Sequence, residues 1–288
     1  MMKRRDMLIS TSAAVLGLSA FPLRWVVGQE QRRPRLLYFT RSVGYEHSVV
    51  RPQSNGLSHS GKIMVELGKQ AAFDVVCSKD GRLLDGDLDQ YDALVFYTCG
   101  DLSQPSVQKT PPVSAEGKRR LLETVAAGKP FIGVHSACYW GPSTGPDDPY
   151  LAMVGAEFVS HGAQQEAAMR VASPKFPGAE DLGDSFRLLD EWYALRNFAD
   201  RMHVVLVQET EGMQGGMYQR PPFPATWARM HGKGRVFFTS MGHREDVWTN
   251  KIFQQILVGG INWALDRRDA DIRPNLQQVA PKAGQLTN

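Results

Sequence analysis

The sequence predicts an α/β fold built on a mostly parallel central sheet with helices on both faces. Three observations carry that expectation. From Arg35 onward, apolar runs alternate with longer mixed stretches in the order strand, helix, strand, strand, helix, strand. The runs are close to continuously apolar rather than alternating, as strands buried on both faces are. The intervening stretches are long enough for the crossovers that parallel neighbours require.

The elements follow in order. "RLLYFT" reads as the first strand, and a segment from Gly56 to Ala71 carries Ile63, Met64, Val65 and Leu67 as a helical apolar set. "FDVVCS" and "YDALVFYT" are the next strands. In "SAEGKRRLLETVAAG", Ser114 is a helix cap, Leu121, Leu122 and Val125 form the apolar face, and Gly128 is the stop. "PFIGV" follows as a strand. "EAAMRVAS", "SFRLLDEWYAL" and "MHVVLVQE" read as strands of an antiparallel extension, and "GKGRVFFTSMGH" as a turn feeding a buried strand. A final helix is expected from Asp246 to Leu265. The domain is thus expected over 34–268, with 269–288 as a polar, Pro- and Gln-containing tail on the surface or disordered.

Residues 1–28 read as an export signal, because Lys3, Arg4 and Arg5 lead into an apolar segment too short and too rich in Ser and Thr to span a membrane. The paired arginines resemble a twin-arginine signal, which implies a periplasmic or extracytoplasmic protein exported after folding. The chain has a formal charge of +3, and the leader holds four basic residues against Asp6, so the remaining part of about 260 residues is formally neutral. That balance, with no cluster of basic residues, argues against a nucleic-acid partner. Cys77, Cys99 and Cys138 are too few and too widely spaced for a disulfide framework, and Cys77 and Cys99, in apolar strand-like runs, are expected as buried thiols.

In open α/β sheets the carboxyl ends of parallel strands gather the ligand-binding loops. Four polar loops stand there: "YFTRSVGYEHS", "YTCGDLS", "GVHSACYW" and "FTSMGHRED". His47, His135, His161 and His243 each lie in or beside a glycine-containing loop, where imidazoles serve as bases, proton carriers or metal ligands, or merely as hydrogen-bonding loop residues. "GVHSACYW" has the form of a nucleophile elbow, with His135 at the raised position. Cys138 is offset from that position and is disfavoured as a nucleophile.

The stretches "LYFTRSVGYEHS", "GKPFIGVHSACYW", "VGAEFVSHG", "DEWY" and "GKGRVFFTSMGHRED", in this order, resemble the ThuA-like (trehalose-utilisation) family. The resemblance implies a flavodoxin-like three-layer sandwich related to class I glutamine amidotransferases, with a mostly parallel central sheet. Where those enzymes carry a cysteine, this chain has His135, so glutamine hydrolysis through a thiolate is disfavoured.

The resemblance further implies carbohydrate metabolism, with a disaccharide or its keto derivative as substrate and a sugar oxidoreductase as partner. It points to His47, His135, His161, Glu191 and His243 as site residues, with Tyr139, Trp140 and Trp192 as stacking surfaces for a sugar ring. In this reading His135 and His243 carry protons or a metal, and Glu191 is the acid/base, its pKa expected to move toward neutrality. Arg41, Tyr45 and His47 position hydroxyls. Of the adjacent pair Asp190 and Glu191, only one is expected to face the crevice. Histidines with a carboxylate suit zinc or another divalent first-row ion, with His47, His135, His161 and His243 as candidate ligands, although no HExxH or paired CxxC spacing is present. The competing function is a non-catalytic carbohydrate-binding protein on the same scaffold.

Overall fold

Arg35–Phe39 forms the first strand, β1, fully buried from Leu36 to Phe39. The structure, a computed structural model, describes residues 32–286 apart from Asn55 and Pro146. The expected export signal at 1–28 lies outside the described residues. In chain order α1 (His59–Ala71), β2 (Asp74–Ser78), β3 (Ala93–Phe96), α2 (Ala115–Ala127), β4 (Phe131–Val134) and α3 (Pro149–Val154) follow. Next are β5 (Glu157–His161), β6 (Gln165–Val171), β7 (Ser185–Asp190), β8 (Tyr193–Arg196), β9 (His203–Gln208), β10 (Phe223–His231) and β11 (Gly234–Thr239). Helices α4 (Glu245–Thr249), α5 (Lys251–Ala264) and α6 (Leu276–Val279) complete the order.

Among the described residues, nine strands form one mixed sheet in the order β2-β1-β3-β4-β11-β10-β9-β6-β7. The first five are mutually parallel, and the last four join by antiparallel pairings. The α/β class with a mostly parallel core is therefore as the sequence predicts. Strands β5 and β8 pair separately as a two-stranded antiparallel sheet.

Strand periodicity splits the apolar residues between two cores, because successive side chains point to opposite faces. Leu36 and Tyr38 pack with Met64 and Leu67 of α1 and Phe253, Ile256 and Leu257 of α5. Leu37 and Phe39 pack with Leu121 and Val125 of α2 and with Tyr150 and Met153 of α3. Ser58 and Ser114 cap α1 and α2 by accepting the Gly61 and Gly117 N–H at 3.0 and 2.9 Å, and Gly128 ends α2 at φ 136°. In the tail, Leu276, Ala280 and Ala283 are buried against the second core.

Three segments differ from expectation. The final helix is broken at Asn250, whose extended backbone (φ −73°, ψ 129°) ends α4 and whose side chain caps α5 through the Ile252 N–H at 2.8 Å. "SFRLLDEWYAL" is two strands in different sheets, with Glu191 and Trp192 at the break. Strand β10 has no counterpart in the sequence reading because Pro221, Pro222 and Pro224 disguise its start, and it tolerates Pro224 through a register irregularity between Pro224 and Thr226.

Candidate active site

Strand β4 ends at Val134, and His135 follows with φ 49°, a left-handed conformation that a side chain beyond Cβ adopts only under constraint. The reversal lifts the imidazole off the sheet, as the elbow reading requires. Its Nδ1 lies 2.8 Å from the Ser240 carbonyl; a carbonyl only accepts, so Nδ1 carries the proton and Nε2 is left with its lone pair.

His243 lies beyond β11, on a loop fixed at Gly242. The Gly242 N–H donates to Asp190 Oδ2 at 2.7 Å, and its carbonyl accepts from Tyr97 Oη at 3.0 Å and Trp248 Nε1 at 2.8 Å. Asp190 Oδ1 also accepts the Glu191 N–H at 2.9 Å. Asp190 is thereby spent on backbone, and Glu191 is the member of the pair that faces the crevice.

Glu191 is the hub. Its Oε1 is 3.1 Å from His243 Nδ1 and 3.7 Å from His135 Nε2, and its Oε2 is 3.2 Å from His161 Nδ1. His243 Nδ1 and His135 Nε2 are 3.3 Å apart. His47, on the loop after β1, stands with its ring centroid 5.0 Å from that of His135 and 5.1 Å from that of His243. One ligand atom from each of His47, His135, Glu191 and His243 falls within a 4.8 Å spread, so these four can hold a metal ion. The donor set, imidazole nitrogens with one carboxylate, suits a first-row divalent ion. His161 is not part of this group.

Burial pushes the His47 pKa down to about 2, with His135 and His243 adding to the effect, so His47 is neutral at any ordinary pH. Burial acts to raise the Glu191 pKa, but the neighbouring imidazoles of His135 and His243 outweigh it and hold the carboxylate well below its ordinary range. This corrects the expectation of a pKa near neutrality: Glu191 is an ionised acceptor or ligand, not a stored proton.

Above this floor opens a cavity of about 300 Å³, lined by Tyr45, His47, Cys99, Gly100, Ser136, Tyr139, Phe158, His161, Glu191 and Tyr193. Its volume suits a small-molecule site. Tyr193 and Phe158 form one wall, with ring centroids 4.4 Å apart, and Tyr193 also lies 4.2 Å from the His135 ring. Tyr45, 57% exposed, stands edge-on to His47. His161 is also well exposed.

Three expected site residues are placed elsewhere. Arg41 is wholly buried, and its guanidinium binds the carbonyls of Leu102 (3.1 Å), Gln104 (2.6 Å), Thr110 (2.9 Å) and Pro111 (2.6 Å), so it fastens loops rather than positioning hydroxyls. Trp140 packs against Tyr150 at 5.1 Å in the second core. Trp192 is buried in the first core and donates to the Gln165 carbonyl at 2.8 Å. Cys138 is buried, and burial pushes its thiol far above the ordinary range, which agrees with setting it aside as a nucleophile. Conversely, Phe158, Tyr193, Cys99 and Gly100 line the cavity without having been singled out. The tyrosine of "DEWY" was the available signal for Tyr193.

The sequence model of the family described as "ThuA: Trehalose utilisation" matches residues 35–264. The chain belongs to the ThuA family. None of the curated proteins matches it in sequence. Among solved structures, a ThuA-like protein from Parabacteroides merdae ATCC 43184 is 18% identical with a TM-score of 0.60, covering 84% of this chain and 95% of the other. One from Bacteroides uniformis ATCC 8492 is 16% identical with a TM-score of 0.61, covering 89% and 100%. A β-galactosidase from Bacillus circulans sp. alkalophilus matches over 32% of its own length and 84% of this chain, at 12% identity and a TM-score of 0.50. At these identities the likeness is of fold alone. No helix among the described residues of this ThuA-family chain is long and apolar enough to cross a membrane.

Proposed function

We propose that this ThuA-family protein is an exported enzyme that acts on a disaccharide or keto-glycoside. The floor of Glu191 and its imidazoles activates a sugar hydroxyl or carbonyl, by moving a proton or through a bound ion. The observation that carries the reading is that Glu191 lies within hydrogen-bonding or ion-pairing distance of His135, His161 and His243 beneath an aromatic-walled cavity. A cavity with convergent polar groups at one end and aromatic faces along its sides suits a ring with an apolar face and a hydroxylated edge. Family membership supports a carbohydrate substrate. The twin-arginine-like leader supports export, and a sugar oxidoreductase is the partner that supplies or consumes a keto form.

A flavodoxin-like, amidotransferase-related scaffold is supported by the parallel half of the sheet, whose order β2-β1-β3-β4-β11 runs second, first, third, fourth, last. With His135 at the elbow and Cys138 held protonated, that scaffold has no thiolate for glutamine hydrolysis.

Incubation with disaccharides and their 3-keto derivatives, with and without divalent ions, tests the reading by product analysis. Turnover of a member of the panel is expected, and lost in His135→Ala with affinity little changed. Sugar binding without turnover would establish the non-catalytic alternative, and neither binding nor turnover would remove the carbohydrate from the account.

A further inference from the structure

We propose that His47, His135, His243 and Glu191 form a four-coordinate site for a zinc-class divalent ion, and that His161 stays outside its coordination sphere. The claim concerns the ion and stands whatever the substrate is. The ligand atoms follow from the hydrogen bonds. His135 presents Nε2, because its Nδ1–H is committed to the Ser240 carbonyl. His243 presents Nδ1, which faces both His135 Nε2 and Glu191 Oε1. Glu191 presents Oε1, because Oε2 is taken by His161.

His47 decides between an ion and a plain hydrogen-bond network. A metal-free network accounts for His135, His243 and Glu191, with the His243 Nδ1–H shared between its two neighbours. It leaves His47 Nδ1 buried with no hydrogen-bond partner, a costly state for a polar atom. Its other nitrogen, Nε2, lies 3.5 Å from Tyr193 Oη, so the tautomer with Nε2–H toward Tyr193 leaves a lone pair on Nδ1. Two of the three imidazoles therefore have an outer partner of the kind that fixes metal-ligating histidines, the Ser240 carbonyl for His135 and the Tyr193 hydroxyl for His47.

The spacing agrees. Ligands about 2.0–2.1 Å from a tetrahedral ion stand roughly 3.3–3.4 Å apart. The separations among His135 Nε2, His243 Nδ1 and Glu191 Oε1 are 3.3, 3.1 and 3.7 Å. Cys99 lines the cavity but is not among the residues whose ligand atoms converge. An ion held here would polarise an oxygen from the cavity by accepting it as a fifth ligand, with His161 Nδ1 standing 3.2 Å from the outer oxygen of Glu191 beside it.

The test uses the full chain without a histidine tag, stripped with a chelator and titrated with Zn²⁺ and, separately, Co²⁺. One Zn²⁺ per chain is expected, with the visible absorption of four-coordinate Co²⁺. H47A, H243A and E191Q are expected to bind at least ~100-fold more weakly, whereas H161Q keeps full stoichiometry. Melting curves of the metal-free variants separate loss of a ligand from loss of fold, and the near-isosteric E191Q is expected to fold. A folded wild-type chain that takes up no ion would overturn the proposal. So would Zn²⁺ retained at full affinity in all three ligand variants, or lost from folded H161Q.

Discussion

Asp190 Oδ2 accepts the Gly242 N–H at 2.7 Å, which ties the end of β7 to the loop beyond β11 and sets Glu191 against His243. The same carboxylate accepts the Glu191 N–H, so one buried group fixes both neighbours of the contact at the centre of the site.

Asp190→Asn turns one of those acceptors into a donor facing an N–H. Leaving a buried donor unsatisfied costs about 1–3 kcal/mol. The variant is expected to melt several degrees lower than the parent and to lose turnover, with both read on the same preparation. Unchanged melting and turnover would show that the clamp does not position Glu191.

Arg41→Lys tests whether Arg41 is structural. Five carbonyls lie around a guanidinium with five donors, and an ammonium cannot reach them in the same geometry. A loss of about 2–4 kcal/mol is expected in denaturant unfolding. Sugar affinity of the folded variant should stay within a few-fold, and a selective loss of affinity would return Arg41 to the site.

The aromatic residues separate into two sets. Trp140→Ala is expected to cost about 3–5 kcal/mol of stability while leaving affinity nearly unchanged. Tyr139→Ala, which removes a cavity wall, is expected to weaken sugar binding by roughly 10-fold through lost stacking. Calorimetric titration of both variants checks the pair, and the reverse pattern would contradict the placement of the rings.

The pH dependence is clearest away from the site. Hydrogen bonds from Arg196 hold the Glu157 pKa below its ordinary value of 4.5 and outweigh the opposing effect of burial. A depressed pKa contributes stability that is present above the unfolded value and lost as pH falls through the folded one. Glu157→Gln is therefore expected to be less stable than the parent at neutral pH, with the gap closing below about pH 4.5. A gap that is constant with pH would show that the ion pair is not the cause.

The parallel half of the sheet was legible because its strands are apolar throughout, and the strand-end loops carrying His47, His135 and His243 followed from the position of each histidine. The phase of neighbouring side chains was not legible. Tyr139 lines the cavity while Trp140 turns into the core, and Glu191, Trp192 and Tyr193 alternate cavity, core, cavity. A one-residue difference in phase exchanges site and core, and composition favours the larger tryptophans as stacking surfaces. Glu191 was found by its neighbours in "DEWY", but the strand break that frees it depends on Asp190 binding Gly242, a contact between residues far apart in sequence.

Glu191→Gln, assayed against the sugar or keto-sugar that the wild type converts, tests the central claim most directly. The account predicts turnover reduced by about 10²–10⁴-fold, with affinity for that compound changed by less than about 10-fold. Turnover at the wild-type rate in the folded variant would contradict it.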